Sequence, residues 1–182
     1  MATAAELGTW SGERDTLRYD GHSELLKAAP KRLSDALELL EEPTREPEGS
    51  DAGYRHLCGA YYLAGYAVEC ALKAYVILLL DARRPGQVAT WSEAIRALQG
   101  AAPRVNVSGA RGHSLKELLK ASGLESQMDQ DPAMQQNWGI CSKWDYNERY
   151  RPTFMTDRDA VAEFVDACVA TYSWLKARLP FC

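Results

Sequence analysis

Apolar residues recur along this chain at spacings of three and four, and the alternation of β-branched residues that marks strands is nearly absent. Helical periodicity therefore organises the sequence. Ser23 is placed to cap a short turn through Leu25 and Leu26, after which Pro30 takes the first position of a helix striped by Leu33, Leu37 and Leu40. The strongest stripe runs through Leu57, Tyr61, Ala64, Val68, Leu72, Tyr75 and Leu79. Around it Gly59, Ala60, Gly65, Ala67, Ala71 and Ala74 keep the helix thin, which lets a neighbour approach closely and suggests a central place in the fold. Between these two helices, Glu41 to Asp51 carries two prolines, a glycine and dense charge, and reads as a mobile connection.

Further along, Thr90-Trp-Ser-Glu93 has the form of a capping box opening a short helix through Ala94, Ile95 and Leu98, closed by Gly100 and Pro103. A second box, Ser114-Leu-Lys-Glu117, opens a brief helix with Leu115, Leu118 and Leu119 that stops at Gly123. Asp131-Pro132 forms a cap and first turn for a helix carrying Met134, Trp138, Cys141 and Trp144, ending before Pro152. The last helix, capped by Thr156, presents Val161, Val165, Cys168, Tyr172, Leu175 and Leu179 in steps of four and three. The fold class expected is all-α.

Composition narrows the class. A chain of 182 residues with 46% apolar and 25% charged residues can bury a core without disulfides or a structural metal, and is neither disordered nor collagen-like. Residues 1–21 read as an N-terminal extension and 22–182 as the helical domain. Met1 to Glu6 lacks the basic start of a signal peptide, so a cytoplasmic location is expected. The apolar stretch Leu57 to Leu80 approaches membrane-spanning length but carries Glu69 and Lys73 at its centre, each costing about 2.5–3.5 kcal/mol in a bilayer. A buried helix of a soluble protein is the expectation, with no membrane partner. Cys58, Cys70, Cys141, Cys168 and Cys182 are odd in number and widely spaced, as free thiols would be; no zinc spacing, Walker loop, dinucleotide fingerprint or serine-hydrolase elbow occurs, and no metal or cofactor is expected.

The net charge of −4 hides an uneven distribution. From Asp35 to Asp51 seven acids face Arg45 alone, a balance of −6; from Arg83 to Lys120 seven Arg and Lys face Glu93 and Glu117, a balance of +5. Such segments are either solvated faces or, for the basic one, a surface for phosphate or an acidic partner. Lys143-Trp-Asp-Tyr-Asn-Glu-Arg-Tyr-Arg151 mixes cations with aromatics, the composition that grips phosphates and stacks bases, although Asp145 and Glu148 weaken it and aromatics tied into a helix end would look the same. Glu69 and Lys73, at i and i+4, fit an intrahelical ion pair; alternatively Glu69 turns inward to hold Arg149 or another cation. His113 is a capping histidine or part of a site near its loop.

The segment Tyr61-Tyr-Leu-Ala-Gly-Tyr-Ala-Val-Glu-Cys-Ala-Leu-Lys-Ala-Tyr75 resembles the central helix of the HEPN family. Gly112-His113-Ser114-Leu115 with Leu118-Leu119 is similar to that family's Gly-His-x-Leu helix opening, and Trp144 followed by Arg149-Tyr150 and Pro152 to its Arg-Tyr-Pro step. The three occur in the family's order and cover about Ser23 to Leu179, outside the insertion Thr90 to Arg111. The resemblance implies an up-and-down bundle of four to five main helices with a short extra helix, commonly a homodimer. It also implies association with RNA or a nucleotide, a nucleotidyltransferase partner, or a bacterial defence or toxin-antitoxin setting. Catalytic members cleave RNA with an Arg and a His separated by four to six residues. Here Phe154, Met155 and Thr156 stand where the partner of Arg149 would be, Thr156, Asp157 and Arg158 where that of Arg151 would be, and no arginine stands at the matching distance before His22, His56 or His113.

The absent pair favours a binding or regulatory module. Arg149, Arg151, Lys143, Trp144, His113 and Arg111 are its candidate nucleic-acid or nucleotide ligands. The alternatives are a metal-independent RNA endonuclease rebuilt around Arg149, Tyr150 and Glu148, and a purely structural helical adaptor.

Overall fold

The computed structural model describes residues 21–41, 51–101, 112–150 and 157–179. They form seven α-helices: α1 (His22–Glu41), α2 (Asp51–Arg83), α3 (Trp91–Ala101), α4 (Leu115–Ser122), α5 (Glu125–Asp129), α6 (Pro132–Cys141) and α7 (Arg158–Lys176). A 3-10 turn, Tyr146–Tyr150, lies between α6 and α7. The architecture is an all-α bundle, and among the described residues the only sheet-like pairing is one bridge between Gly21 and Thr90.

α2 is the axis. α1, α3, α4, α7 and the 3-10 turn all pack on it, and its alanines at 60, 64, 67, 71 and 74 are fully or almost fully buried. The small residues expected to thin this helix do so at specific places: a side chain at Gly65 would collide with the indole of Trp144, and one at Gly59 would press on Leu39 of α1. By length and composition His56–Arg83 could cross a membrane, yet 67% of that apolar window is buried inside the bundle. Between α2 and α7 the rings of Tyr61 and Phe164 stack with centroids 4.0 Å apart.

The capping chemistry follows the sequence closely. Thr90 Oγ1 accepts from Glu93 N while Glu93 Oε2 accepts from Thr90 N and Ala89 N, a complete box. Ser114 Oγ accepts from Glu117 N, and Gly123 closes α4 in the left-handed conformation at φ 73°. Asp131 Oδ1 accepts from Met134 N at the start of α6, while its other oxygen accepts from Trp174 Nε1 and so ties α7 to that helix end.

Four expectations need correction. α1 is continuous from His22, with Pro30 inside it and not at its start. The proline lacks an amide donor and crowds the preceding turn, but its ring is exposed, and Leu25, Ala29, Leu33, Ala36 and Leu40 are buried on both sides of it. Leu37 does not belong to that stripe; it is 38% exposed and Ala36 takes the inward place. α6 stops at Cys141, so Trp144 sits in the following turn, where Asp145 Oδ1 accepts from Asn147 N and starts the 3-10 turn. α7 is capped by Asp157, whose carboxylate accepts from Asp159 N and Ala160 N; Thr156 lies outside the described residues, as do the connection at 42–50 and Pro103. No disulfide joins Cys58, Cys70, Cys141 and Cys168, all of them buried.

Candidate functional site at His113

The helical pitch of α2 puts Glu69 and Lys73 one turn apart on the side facing α3 and the approach to α4. Glu69 is 1% exposed. An isolated carboxylate there would be costly, and two donors converge on a single oxygen: Lys73 Nζ lies 2.6 Å and His113 Nδ1 2.9 Å from Oε1. Lys73 is itself buried, with its ammonium 5.1 Å over the centroid of Trp91 at the start of α3. Glu69 Oε2 is buried and has no hydrogen-bond partner among the described residues.

His113 arrives from the turn just before α4, and its position is fixed by the Ser114 cap, which sets the chain's entry into the helix. Its ring stacks on Tyr146 of the 3-10 turn, with centroids 4.6 Å apart and planes 25° from parallel. A carboxylate only accepts hydrogen bonds, so Nδ1 carries the hydrogen that faces Glu69. In the neutral ring Nε2 then presents its lone pair. The side chain is 35% exposed, so the imidazole joins a buried charge cluster to solvent.

That exposed side opens on a cleft of about 410 Å³ lined by His113, Ser114 and residues 143–147. Lys143 is exposed at its edge, as are Asp145 and Asn147, while Tyr146 supplies the stacked ring. Trp144 also borders the cleft but is only 5% exposed; its pyrrole edge lies against Gly65 and its ring leans on Tyr62 at 5.8 Å. The indole is thus a core side chain that holds the segment in place, and a base cannot stack on it.

Several sequence candidates meet here. His113, Lys143 and Trp144 share one cleft, with Glu69 and Lys73 directly behind. Both readings of Glu69 are realised at once: it pairs with Lys73 along α2 and it also turns inward, but to His113. Glu148 lies half-buried near Tyr61, whose phenol is pushed upward first by burial and then by that carboxylate. The side chains of Arg149 and Tyr150, with Arg111 and Arg151, fall outside the described residues. Tyr146 was not singled out from the sequence, although its place among Lys143, Trp144 and Arg149 was the available signal. Trp91, 22 positions before His113, carried no signal at all.

No protein-family model matches the chain, and neither a curated protein nor a solved structure matches it. The HEPN resemblance rests on the three sequence segments alone. Two of them supply Glu69, Lys73 and His113, which the fold brings into contact across 44 positions.

Proposed function

We propose that this protein is a HEPN-like, homodimeric binding or regulatory module, acting in the cytoplasm, that takes a phosphate-bearing ligand, RNA or a nucleotide, at the His113 cleft. The observation that carries this reading is the placement of an oriented imidazole, a stacked tyrosine and an exposed lysine around one opening. The Lys143 ammonium donates to phosphate oxygens, His113 Nε2 faces the same opening, and Tyr146 offers an aromatic surface beside them. A nucleotidyltransferase, or a defence or toxin-antitoxin partner, is the setting that the resemblance favours.

The test measures binding of fluorescent single-stranded RNA and of nucleotides at several salt concentrations, with light scattering for oligomeric state. A dimer whose RNA affinity falls with salt, and falls further in Lys143→Ala, supports the module. Failure to bind RNA, nucleotides and polyphosphate at low salt leaves a structural adaptor.

One observation favours a second reading, the metal-independent ribonuclease. RNA cleavage needs a group that moves a proton, and His113, with Nδ1 held by Glu69 and its ring at the cleft, is the candidate the fold offers. RNA cleavage that persists in a metal chelator and disappears in His113→Ala and Arg149→Ala would establish the enzyme; intact RNA with the wild type removes it.

A further inference from the structure

The cleft segment is anchored to a pair of thiols that the binding reading leaves unused. Cys141, the last residue of α6, and Cys168, in the middle of α7, are both fully buried, and their sulfurs lie 3.5 Å apart although 27 positions separate them in the chain. We infer that Cys141 and Cys168 form an oxidisable dithiol, converted by a peroxide into a disulfide that joins α6 to α7 and resets the cleft above it.

A disulfide needs the sulfurs at about 2.05 Å, so they must close by roughly 1.5 Å, a distance within reach of side-chain rotation with small helix shifts. The order of events follows from the hydrogen bond. Cys168 donates its S–H to Cys141 Sγ, so the two sulfurs already face one another and Cys141 is the first reactant. Burial and that same neighbour push the Cys168 thiol well above its ordinary value, which leaves it as the second reactant. The Cys141 sulfur attacks one peroxide oxygen and breaks the O–O bond, and its thiol proton passes to the released hydroxide, giving a sulfenic acid and one water. Cys168 sulfur then attacks the sulfenic sulfur and expels the hydroxyl, which leaves as a second water with the thiol proton. Two thiols lose two electrons in all and the peroxide gains them. Both sulfurs are fully buried, so peroxide reaches them through local opening of the contact between α6 and α7.

The coupling to the cleft is equally direct. Trp144 N donates to Cys141 O at 3.1 Å, so a backbone shift at Cys141 is transmitted to the indole wedged at Gly65 and to the cleft residues that follow. Tyr61 lies near both sulfurs: its phenol is raised first by burial, then by Glu148, and after these by Cys168 and Cys141. The thiol pair is therefore tied to the cleft segment through the backbone bond from Trp144 to Cys141. In a reducing compartment it stays open, and it closes only when peroxide rises.

The experiment treats the folded, reduced full chain with hydrogen peroxide, blocks remaining thiols, and maps linked peptides by mass spectrometry, with circular dichroism on the same sample. The expected result is a Cys141–Cys168 peptide 2 Da lighter than its two thiol forms, reversed by dithiothreitol and absent from Cys141→Ala and Cys168→Ala. Hydrogen exchange of 141–147 then slows several-fold in the oxidised protein. Free thiols at both positions, separate sulfinic acids, or a link from either one to Cys182 overturns the dithiol; a linked peptide with unchanged exchange overturns its control of the cleft. None of these readouts involves RNA, so failure here is distinct from failure of the binding reading.

Discussion

Gly65→Ala is a sharp test of how the cleft is built. The added Cβ would lie 2.2 Å from Trp144 Cδ1, 2.3 Å from Cγ and 2.4 Å from Nε1. Reaching ordinary contact at 3.4 Å requires the ring to retreat by 3.4 − 2.2, about 1.2 Å. Trp144 is 5% exposed with Tyr62 beside it, so that space is occupied. Overpacking of this kind costs about 1–3 kcal/mol, and expelling the indole altogether about 3–5 kcal/mol. Against this, alanine gains about 0.5–1 kcal/mol over glycine within a helix. The net expectation is a loss of up to about 2.5 kcal/mol if the ring shifts and of about 2–4.5 kcal/mol if it is expelled. Gly139→Ala is the matched control: it lies exposed on α6 with nothing within 4 Å of the added carbon, and it should gain about 0.5 kcal/mol. Urea unfolding followed by circular dichroism reads both, and tryptophan emission reports whether Trp144 has moved. Equal responses of the two glycines, or a Gly65→Ala protein as stable as wild type, would refute this packing.

Two further outcomes follow from the buried charges and thiols. Lys73→Met leaves the Glu69 carboxylate with His113 alone and should cost about 3–5 kcal/mol, whereas Glu69→Leu with Lys73→Met removes both charges and should cost markedly less; equal losses in urea titrations would show that the pair is not buried. Burial pushes the Cys70 thiol up to about 11, so iodoacetamide at pH 8 should leave it unmodified in the folded protein and label it on unfolding. Rapid labelling of native protein contradicts that placement.

The helices were legible because their signals are local. Thr90 with Glu93, Ser114 with Glu117 and Asp131 with Pro132 announce three helix starts within a few residues each, and the small residues of α2 mark the central helix. The errors arose where packing overrides local preference. Pro30 looks like a helix start, but the apolar stripe on both sides of it carries α1 through. Leu37 matches the period and still faces water, while its neighbour Ala36 is fully buried. Trp144 fits the spacing of α6 but reaches its pocket from a turn, drawn there by the gap at Gly65.

The site was legible only in pieces. Glu69 with Lys73 was visible as a spacing and His113 as a helix opening, but the bond between them spans 44 positions and has no local signature. The family's catalytic pair is an arginine and a histidine near each other in sequence. The structure instead sets a histidine against a glutamate from another helix, and adds Tyr146, a residue whose role depends entirely on the ring opposite it.

The most direct test of the central claim, that the His113 cleft is the ligand site, is photo-crosslinking of single-stranded RNA carrying 4-thiouridine, with the modified peptides identified by mass spectrometry. The account predicts crosslinks within 143–147, centred on Tyr146, and their loss in His113→Ala at matched protein concentration. Crosslinks confined to other segments, or the same yield with and without His113, would contradict it.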